Sequence, residues 1–338
     1  MGAGRESVTI ADVARRAGVS PATVSRIMNG RFAGEEEIAE RVRAAAAELA
    51  YAPSPLARSL ALGRTHAIAF VVPDLANPAF QSVLAGLSKT AARDGYRVLI
   101  ADSGESPGEE PLLATEIRRR TDAIVLCAPR MPEDELVALA ERLHPLVLIN
   151  RRLPEGAQPA VAPSLSIDYR TGIAAIAAHL YALGHRHLAY VYGPERSASN
   201  AHRERGLDDF AREHPDVRID RIPAGAASEE GRLAAPLVRD SGATAALAFN
   251  DLVAIGLIGG LRELGVGVPG DVSVTGFDDI PLAQYLDPAL TTASVSHAEL
   301  GVVAWNRMHA LIRGEDPGHD VVFQPRLELR ASVAAPRS

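Results

Sequence analysis

Polar side chains directly follow several apolar runs, at the position where parallel-sheet proteins hold small ligands. Four of them carry a carboxylate or an amide group: Asp74, Asn150, Asn250 and Asp278. Ligands of open α/β sheets lie beyond the carboxyl ends of the strands, and these groups hydrogen-bond to hydroxyl groups. The pattern therefore predicts a cleft that binds a small polar molecule. The neighbouring Asp251 and Asp279 are more simply explained as caps of helices and turns.

A second set of side chains is typical of a helix that reads DNA bases. After Ser20 and Pro21, small and polar residues surround one arginine on the face opposite Val24 and Ile27. These residues are Ala22, Thr23, Ser25, Arg26 and Asn29. Because an exposed arginine can bind the O6 and N7 atoms of guanine, we expect Arg26 to contact a base edge. The alternative is a small three-helix bundle with no role in DNA binding.

Local signals define the helices of this segment. Thr9, followed three residues later by Asp12, is a capping pattern that begins the first helix. Gly18 supplies a turn, Ser20 caps the second helix, and Pro21 occupies its first position, where the missing N–H costs nothing. One small apolar core is predicted from Val13, Ala14, Ala17, Val19, Val24 and Ile27.

The same segment carries a specific sequence motif. Residues 8–30 read VTIADVARRAGVSPATVSRIMNG. Together with the chain up to residue 62, they resemble the DNA-binding region of the lac/gal repressor family of bacterial transcription regulators. The regulatory core of that family also matches downstream, so the resemblance covers almost the whole chain. It implies DNA contacts by Thr9, Ser20, Pro21, Ala22, Thr23, Ser25, Arg26 and Asn29.

Residues 53–65 are predicted to form a linker that folds only against a partner. Two prolines end the preceding helix, and the seven residues 56–62 are too few for a stable isolated helix. The resemblance implies a hinge helix that pairs with its dimer mate and enters the minor groove. There, Leu60 matches the residue that wedges between base steps, and Ala57 and Arg58 match its groove-facing neighbours. The alternative is a flexible tether.

From residue 66 onward, apolar runs alternate with helical stretches such as 80–94, 132–143 and 171–183. The runs with strand character are Ile68–Val72, Arg97–Ala101, Ala123–Cys127, Leu146–Ile149, Leu188–Tyr192, Ile219–Pro223, Ala245–Phe249 and Val272–Val274. Strands buried on both faces and joined by helical crossovers predict parallel, doubly wound sheets. We expect two lobes, with crossings near residues 162–168, 290–296 and 321–325, and a final strand at residues 326–333.

The predicted architecture is an all-α helix-turn-helix head with a hinge helix, joined to an α/β core of two doubly wound parallel-sheet lobes similar to periplasmic binding proteins. The expected boundaries are 1–52 for the head, 53–65 for the hinge and linker, and 66–338 for the effector-binding and dimerisation core. One lobe is expected to cover 66–162 and 294–321, and the other 163–293 and 322–338. No leucine heptads follow, so we expect a homodimer without a helical tetramerisation tail.

The resemblance also assigns roles to side chains of the cleft. Arg203, three residues before Gly206, matches the position whose arginine usually holds ligand hydroxyl groups. Asn250 and Asp278 match the polar clamp of the second lobe, and Asn150 matches a position between the lobes.

An aromatic face is expected beside these groups. Residues 73–80, which include Asp74 and Phe80, look like the first effector loop of the family. Phe80 and Phe277 can supply the face. A carboxylate, an arginine and amides around aromatic rings suit a polyhydroxylated ligand, so the expected effector is a sugar.

Composition and charge are consistent with this division. The chain has 338 residues, 47% of them hydrophobic, and a net charge of −7. Residues 1–65 contain nine Arg against seven Asp and Glu, a charge of +2, which leaves −9 on the remainder. A weakly basic head on an acidic body can still bind DNA through local geometry. The polar N-terminus lacks a secretory apolar stretch, and the single Cys127 excludes an intrachain disulfide, as is typical of a reducing cytoplasm.

Two apparent motifs are set aside. Residues 265–270 fit G-x-G-x-x-G, but they follow a helix and precede a strand, which is the wrong context for a dinucleotide site. His179, His185 and His187 resemble a metal cluster but occur at a helix exit. No nucleophile signature or phosphate-binding loop is present, so we expect no catalysis, no cofactor and no metal.

The expected function is that of a cytoplasmic, sequence-specific DNA-binding transcription regulator, a repressor controlled by a sugar effector and bound to operator DNA as a homodimer. A sugar-binding transport or receptor protein would share the two-lobed core but would lack residues 8–62. A sugar-processing enzyme would need a catalytic pair that the sequence does not offer. No membrane association is expected, since no tract of 18 apolar residues occurs.

Overall fold

The computed structural model describes residues 8–28, 30–51, 63–157 and 162–337. The chain divides into two compact units, Met1–His66 and Ala67–Ser338. The division falls at the end of the predicted linker. The first unit is the head and the second is the core.

The described part of the head contains α1 (Ile10–Ala17), α2 (Pro21–Met28) and α3 (Glu36–Glu48). Its predicted apolar core is confirmed, with Val19 partly buried and the other five residues buried. Alanines and Val42 of α3 complete this core. Gly18 and Gly30 have φ angles of +67° and +68°, a conformation that glycine adopts without strain, and they end the first two helices.

The core alternates strands and helices, as its hydrophobic pattern predicts. The strands are β1 (Ala67–Val72), β2 (Arg97–Asp102), β3 (Ala123–Cys127), β4 (Leu146–Ile149), β5 (Ser164–Ile167), β6 (His187–Tyr192), β7 (Arg218–Pro223), β8 (Ala245–Ala248), β9 (Ser273–Asp278), β10 (Thr291–Ser294), β11 (Val321–Phe323) and β12 (Arg326–Glu328). The helices are α4 (Pro78–Arg93), α5 (Glu110–Arg118), α6 (Glu133–Leu143), α7 (Tyr169–Ala182), α8 (Ala198–Glu213), α9 (Ser228–Ser241), α10 (Asp251–Glu263) and α11 (His297–Arg313). A 3-10 helix spans Pro281–Tyr285.

The described strands form two six-stranded sheets, one for each lobe. The first lobe has the strand order β11-β5-β4-β3-β1-β2, and the second has the order β12-β10-β9-β8-β6-β7. Pairing is parallel throughout the first sheet. In the second sheet, the last strand runs antiparallel to β10. The prediction of parallel sheets is therefore confirmed except at β12, which lies at the edge of the second sheet and runs in the opposite direction.

The chain passes between the lobes after β5, β10 and β11, within the segments expected from the sequence. Two boundaries are shifted. Residues 164–167 form β5 in the first sheet, whereas the sequence placed the start of the second lobe at residue 163. The sequence also ended the first lobe at residue 321, but β11 extends it to Phe323. The shifts arise because both short strands add to the edge of a sheet whose centre was already predicted.

Glycines allow helices to approach closely in each lobe. A Cβ atom on Gly301 of α11 would lie 2.0 Å from the carbonyl oxygen of Val83 on α4, and one on Gly86 would meet the carbonyl of Ala298 at the same distance. In the second lobe, a Cβ on Gly256 of α10 would lie 1.7 Å from the carbonyl oxygen of Ser228 on α9. These backbones pack too closely for any side chain.

We expect Gly301→Ala to lower the free energy of unfolding by about 1–3 kcal/mol, because the added methyl group forces α4 and α11 apart. Gly259→Ala is the matched control. Gly259 is exposed on α10, and its Cβ would meet nothing within 4 Å, so this change should stabilise by roughly 0.5–1 kcal/mol. Urea unfolding of both variants measures the difference. Equal effects of the two changes would contradict the packing account.

Candidate functional site

Helix α2 is held at its start by Ser20. The Ser20 Oγ accepts a hydrogen bond from the backbone N–H of Thr23, with an N···O distance of 3.1 Å, and lies 2.9 Å from the Thr23 hydroxyl. This confirms the predicted cap. Pro21 at the first helical position is exposed.

The outer face of α2 presents the residues that we expect to contact DNA. Ala22 and Arg26 are exposed, while Thr23 and Ser25 are partly buried beside the core. The Arg26 Nε donates a long hydrogen bond, 3.4 Å, to the carbonyl of Ala22 one turn earlier. Among the described residues, its guanidinium takes part in none of the ion pairs, so its remaining N–H groups can reach a base edge.

Thr9 begins α1 and is tied to its first turn. Its backbone N–H and its Oγ1 both donate to Asp12 Oδ2, at 3.0 and 2.7 Å. The exposed Thr9 hydroxyl therefore donates its proton to Asp12 within the head, and its oxygen can still accept a hydrogen bond. The other predicted DNA contacts, Asn29, Ala57, Arg58 and Leu60, lie outside the described residues and remain predictions.

Arg203 on α8 is a buried cation of the core and is 1% exposed. Its guanidinium carbon stands 4.2 Å from the ring centroids of Tyr169 and Phe277 and 4.6 Å from that of Phe249. The rings come from the start of α7 and the carboxyl ends of β9 and β8. Each offers the negative face that attracts a cation. Within the described part of the chain, Arg203 Nε and Nη1 have no hydrogen-bond partner.

Asp278 and His297 lie beside Arg203. Burial raises the pKa of the Asp278 carboxyl to about 7, although the charge of Arg203 works in the opposite direction. His297, the first residue of α11, places its Nε2 atom 3.5 Å from Asp278 Oδ1. Burial lowers the pKa of the imidazole to about 4, so it is neutral at pH 7.

Asp251 has a structural role that the sequence interpretation missed. It does not cap α10. That role belongs to Asn250, whose Oδ1 accepts from the backbone N–H of Val253 at 2.8 Å. Asp251 is fully buried and accepts hydrogen bonds from the Thr292 hydroxyl at 2.6 Å and the backbone N–H of Ile280 at 2.8 Å. Burial, reinforced by the charge of Asp278, raises its pKa to about 8. Asp279 forms an ion pair with Arg330.

One cavity between the lobes is lined by five of the seven predicted effector residues: Phe80, Asn150, Arg203, Asn250 and Asp278. Asn150 has a φ angle of +55°, and its buried Oδ1 has no partner in the described part of the chain. Asn250 is already occupied, because in addition to its cap it donates from Nδ2 to the carbonyl of Ala226 at 2.9 Å. Phe277 lies behind the guanidinium, against the ring of Tyr169.

Asp74 does not line this cavity. Its Oδ1 accepts from the backbone N–H of Ala76 at 2.8 Å, and it borders a separate space of about 510 Å³ between the lobes, together with Asp102, Glu105 and Glu230. Burial raises its pKa. The structure therefore separates Asp74 from the group around Arg203.

Sequence reasoning missed several cavity residues. Tyr169 and His297 are the first residues of helices that directly follow crossings, so only the assembled lobes bring them to the cavity. Arg130 is 3% exposed and binds both carboxylate oxygens of Glu105, at 2.6 and 2.9 Å. Both line the cavity from the first lobe. The sequence rule that located cavity residues was a polar residue directly after a strand. Arg130 and Glu105 each lie three residues beyond the end of a strand, so the rule did not find them.

The cavity is lined by residues of both lobes, such as Phe80 of α4 in the first and Arg203 of α8 in the second. Its shape therefore depends on the separation of the lobes.

A helix-turn-helix head joined to a two-lobed core with a polar cleft defines a ligand-responsive DNA-binding regulator. Residues 9–54 match the bacterial regulatory proteins of the lacI family, and residues 177–333 match the periplasmic binding protein-like domain.

Curated relatives and solved structures agree with this class. The chain is 34% identical to the HTH-type transcriptional regulator GalR of Salmonella typhimurium, over 97% of this chain and 96% of the relative. It is 30% identical to the HTH-type transcriptional repressor CytR of Escherichia coli, over 92% of each. The crystal structure of the lac repressor dimer bound to operator and the anti-inducer ONPF superposes with a TM-score of 0.85 and 25% identity, covering 98% of this chain and 100% of that one.

The chain belongs to the lacI family of bacterial transcription regulators. A sugar-binding transport protein would not account for the match of residues 9–54 to the DNA-binding regulators. The curated relatives are transcription regulators rather than enzymes. None of the described helices is long and apolar enough to cross a membrane. No group of three or more metal-ligating side chains occurs among the described residues. Two of the three histidines considered as a cluster have other partners, since His185 bonds to Thr244 and His187 to Asp220.

The buried carboxyl of Asp251 should make stability depend on pH. Because its folded pKa lies above that of the unfolded chain, its contribution to stability is complete below about pH 4 and is lost as pH rises towards 8. Asp251→Asn removes this loss, so the free energy of unfolding of the variant, relative to wild type, should rise with pH by up to about 1.4 kcal/mol per pH unit in that window.

Denaturant titrations between pH 5 and pH 8.5 measure this difference. Asp240→Asn is the control, because Asp240 is exposed and Arg239 lowers its pKa, so its difference from wild type should stay flat. A flat difference for Asp251→Asn as well would show that Asp251 is ionised throughout.

Proposed function

We propose that the protein is a repressor whose operator binding is controlled by a sugar held between the two lobes. Buried polar atoms around one cavity carry this proposal: Arg203 Nε and Nη1 as donors, and Asn150 Oδ1 as an acceptor, all without partners among the described residues. Buried polar groups without hydrogen bonds are costly, so their convergence on one cavity points to a ligand rich in hydroxyl groups.

The charge balance favours a neutral ligand. Arg203 is accompanied by Asp278, and Arg130 is neutralised by Glu105 through two hydrogen bonds. A hydroxyl group both donates and accepts, so it suits a site that offers both kinds of partner. The rings of Phe80 and Tyr169 provide apolar surface beside these groups.

DNA recognition is assigned to the head. We propose that Arg26, with Ala22, Thr23 and Ser25, faces the major groove, since these residues lie on the outer face of a helix whose inner face is buried. Ser20, Pro21 and Thr9 lie at helix N-termini, where backbone N–H groups favour phosphate. By resemblance, Asn29 joins this set, and the hinge residues Ala57, Arg58 and Leu60 contact the minor groove.

The two functions are proposed to communicate through a dimer. The edge strand β2 exposes Leu99 and Ile100, 40% and 43% accessible, and uncovered apolar edges are normally paired or covered. A second copy covering them would link the two heads. Ligand binding would then change the distance between the hinge segments, and hence the fit of two recognition helices to half-sites about 34 Å apart. A coupling of about 1–3 kcal/mol suffices to switch occupancy.

The remaining assignments follow from this role. We propose a cytoplasmic location, where bacterial DNA is found, and a function without catalysis. The proposed domains are the head to residue 52, the hinge and linker at 53–65, and the core beyond, with the first lobe extended to include β5 and β11.

Arg26→Ala should reduce discrimination between operator and random DNA by about 1–3 kcal/mol, because a bidentate contact to guanine is lost. Arg15→Ala is the control, since it removes the same charge from α1, where Arg15 pairs with Asp12. An operator selected from random-sequence DNA allows fluorescence anisotropy titrations of both variants. If Arg26→Ala keeps the wild-type ratio of affinities, the assignment of α2 to base reading is wrong.

Asp278→Ala should abolish the response to effector while leaving the ligand-free affinity for operator close to that of wild type. The reason is that Asp278 lines the cavity in the core, far along the chain from α2. A thermal-shift screen of ribose, galactose, glucose, cellobiose and cytidine identifies the effector, because a bound ligand raises the stability of the folded state.

Asp240→Ala, an exposed aspartate of the same lobe paired with Arg239, is the control for operator titrations with and without that ligand. An Asp278→Ala variant that responds at the wild-type ligand concentration would overturn the cleft assignment.

A further inference from the structure

His297 occupies an unusual position in the core. It begins α11, immediately after the chain crosses from the second lobe to the first. The residue is 8% exposed and lines the cavity that contains Arg203 and Asp278. Its backbone N–H is satisfied by the carbonyl of Val295 at 2.9 Å. In contrast, its buried Nδ1 has no partner in the described part of the chain.

The two ring nitrogens have different surroundings. Nε2 faces Asp278 Oδ1 at 3.5 Å, while Nδ1 is buried elsewhere in the lining. A neutral imidazole carries one N–H and one lone pair, and the partner of one nitrogen decides the role of the other. In either tautomer, Nδ1 offers a lone pair or an N–H, and a hydroxyl group can pair with both. The cavity lining thus contains a buried hydrogen-bonding nitrogen that has no partner in the described part of the chain.

We propose that His297 determines effector specificity by forming, at Nδ1, a hydrogen bond with one hydroxyl group of the ligand. This inference deepens the proposed function and rests on it. Sites built to hydrogen-bond a particular hydroxyl reject analogues that lack it far more strongly than apolar pockets reject small changes in size.

A purely structural role is the competing explanation. His297 would then pack at the crossing, and replacing it would weaken all ligands equally or only lower stability. The two explanations differ in discrimination between ligands, since only a direct hydrogen bond singles out one hydroxyl. Measurements on a single ligand are therefore insufficient.

The experiment uses the full chain and isothermal titration calorimetry. The probes are the sugar or nucleoside that binds wild type most tightly among ribose, galactose, glucose, cellobiose and cytidine, and each of its monodeoxy derivatives. His297→Phe keeps the ring but removes both nitrogens, and His297→Gln keeps an acceptor. His309→Phe is the matched control, on the same helix but outside the cavity, where His309 stacks on Trp305.

We expect His297→Phe to weaken the parent ligand roughly tenfold or more and to leave one monodeoxy derivative almost unaffected, so that discrimination at that hydroxyl collapses. His297→Gln should retain part of the discrimination, and His309→Phe all of it. If His297→Phe fails to fold, His297→Gln decides, since it should still change the discrimination at that hydroxyl.

The inference is overturned if the replaced proteins keep the wild-type ratios across the derivatives, or if all ligands weaken by the same factor. Arg203→Ala separates this failure from that of the proposed function. Loss of binding in Arg203→Ala with unchanged ratios in the His297 variants rejects the role of His297 alone. If wild type binds no probe, the proposed sugar site fails, and the role of His297 fails with it.

Discussion

Burial of the Arg203 guanidinium is the constraint on which the core depends. A buried charge is costly unless the surrounding groups compensate for it. Here three aromatic faces within 4.6 Å supply attraction, and the ionised form of the Asp278 carboxyl interacts favourably with the same charge. Because β8 and β9 are neighbours in the second sheet, their carboxyl ends bring Phe249 and Phe277 to the same guanidinium. Arg203 Nε and Nη1 have no hydrogen-bond partner among the described residues, and these two donors are the basis of the proposed ligand site.

The same groups connect the cleft to the crossings. Tyr169 begins α7 directly after β5, and His297 begins α11 shortly after β10. Tyr169, which contacts Arg203, and His297, which lies beside Asp278, are therefore close to the points where the chain passes between the lobes. Gly172 adds to this coupling, since a Cβ there would lie 2.8 Å from the ring of Phe277 and 2.9 Å from Pro325 at the third crossing. This close packing places the aromatic rings around Arg203 against the segment in which the chain crosses between the lobes.

Much of this arrangement could be predicted from the sequence, and the failures have physical reasons. The apolar runs predicted the central strands. The rule that polar residues after such strands line a cleft correctly predicted Asn150 and Asp278, which both line the cavity. Asn250 was found by the same rule, but capping α10 and binding Ala226 use its side chain. The short strand β5 was missed because a strand of four residues carries little pattern. Tyr169, His297 and the Arg130–Glu105 pair depend on contacts between segments distant along the chain, which no local spacing reveals.

The central claim is that ligand in the cleft and DNA on the head are linked. Thermodynamic linkage requires each to change the affinity of the other by the same factor. The direct measurement is the Kd of the effector, determined by calorimetry with and without saturating operator DNA, beside the Kd of operator with and without saturating effector. The account predicts two equal factors of about 5 to 150. An effector Kd that is identical with and without operator would contradict it.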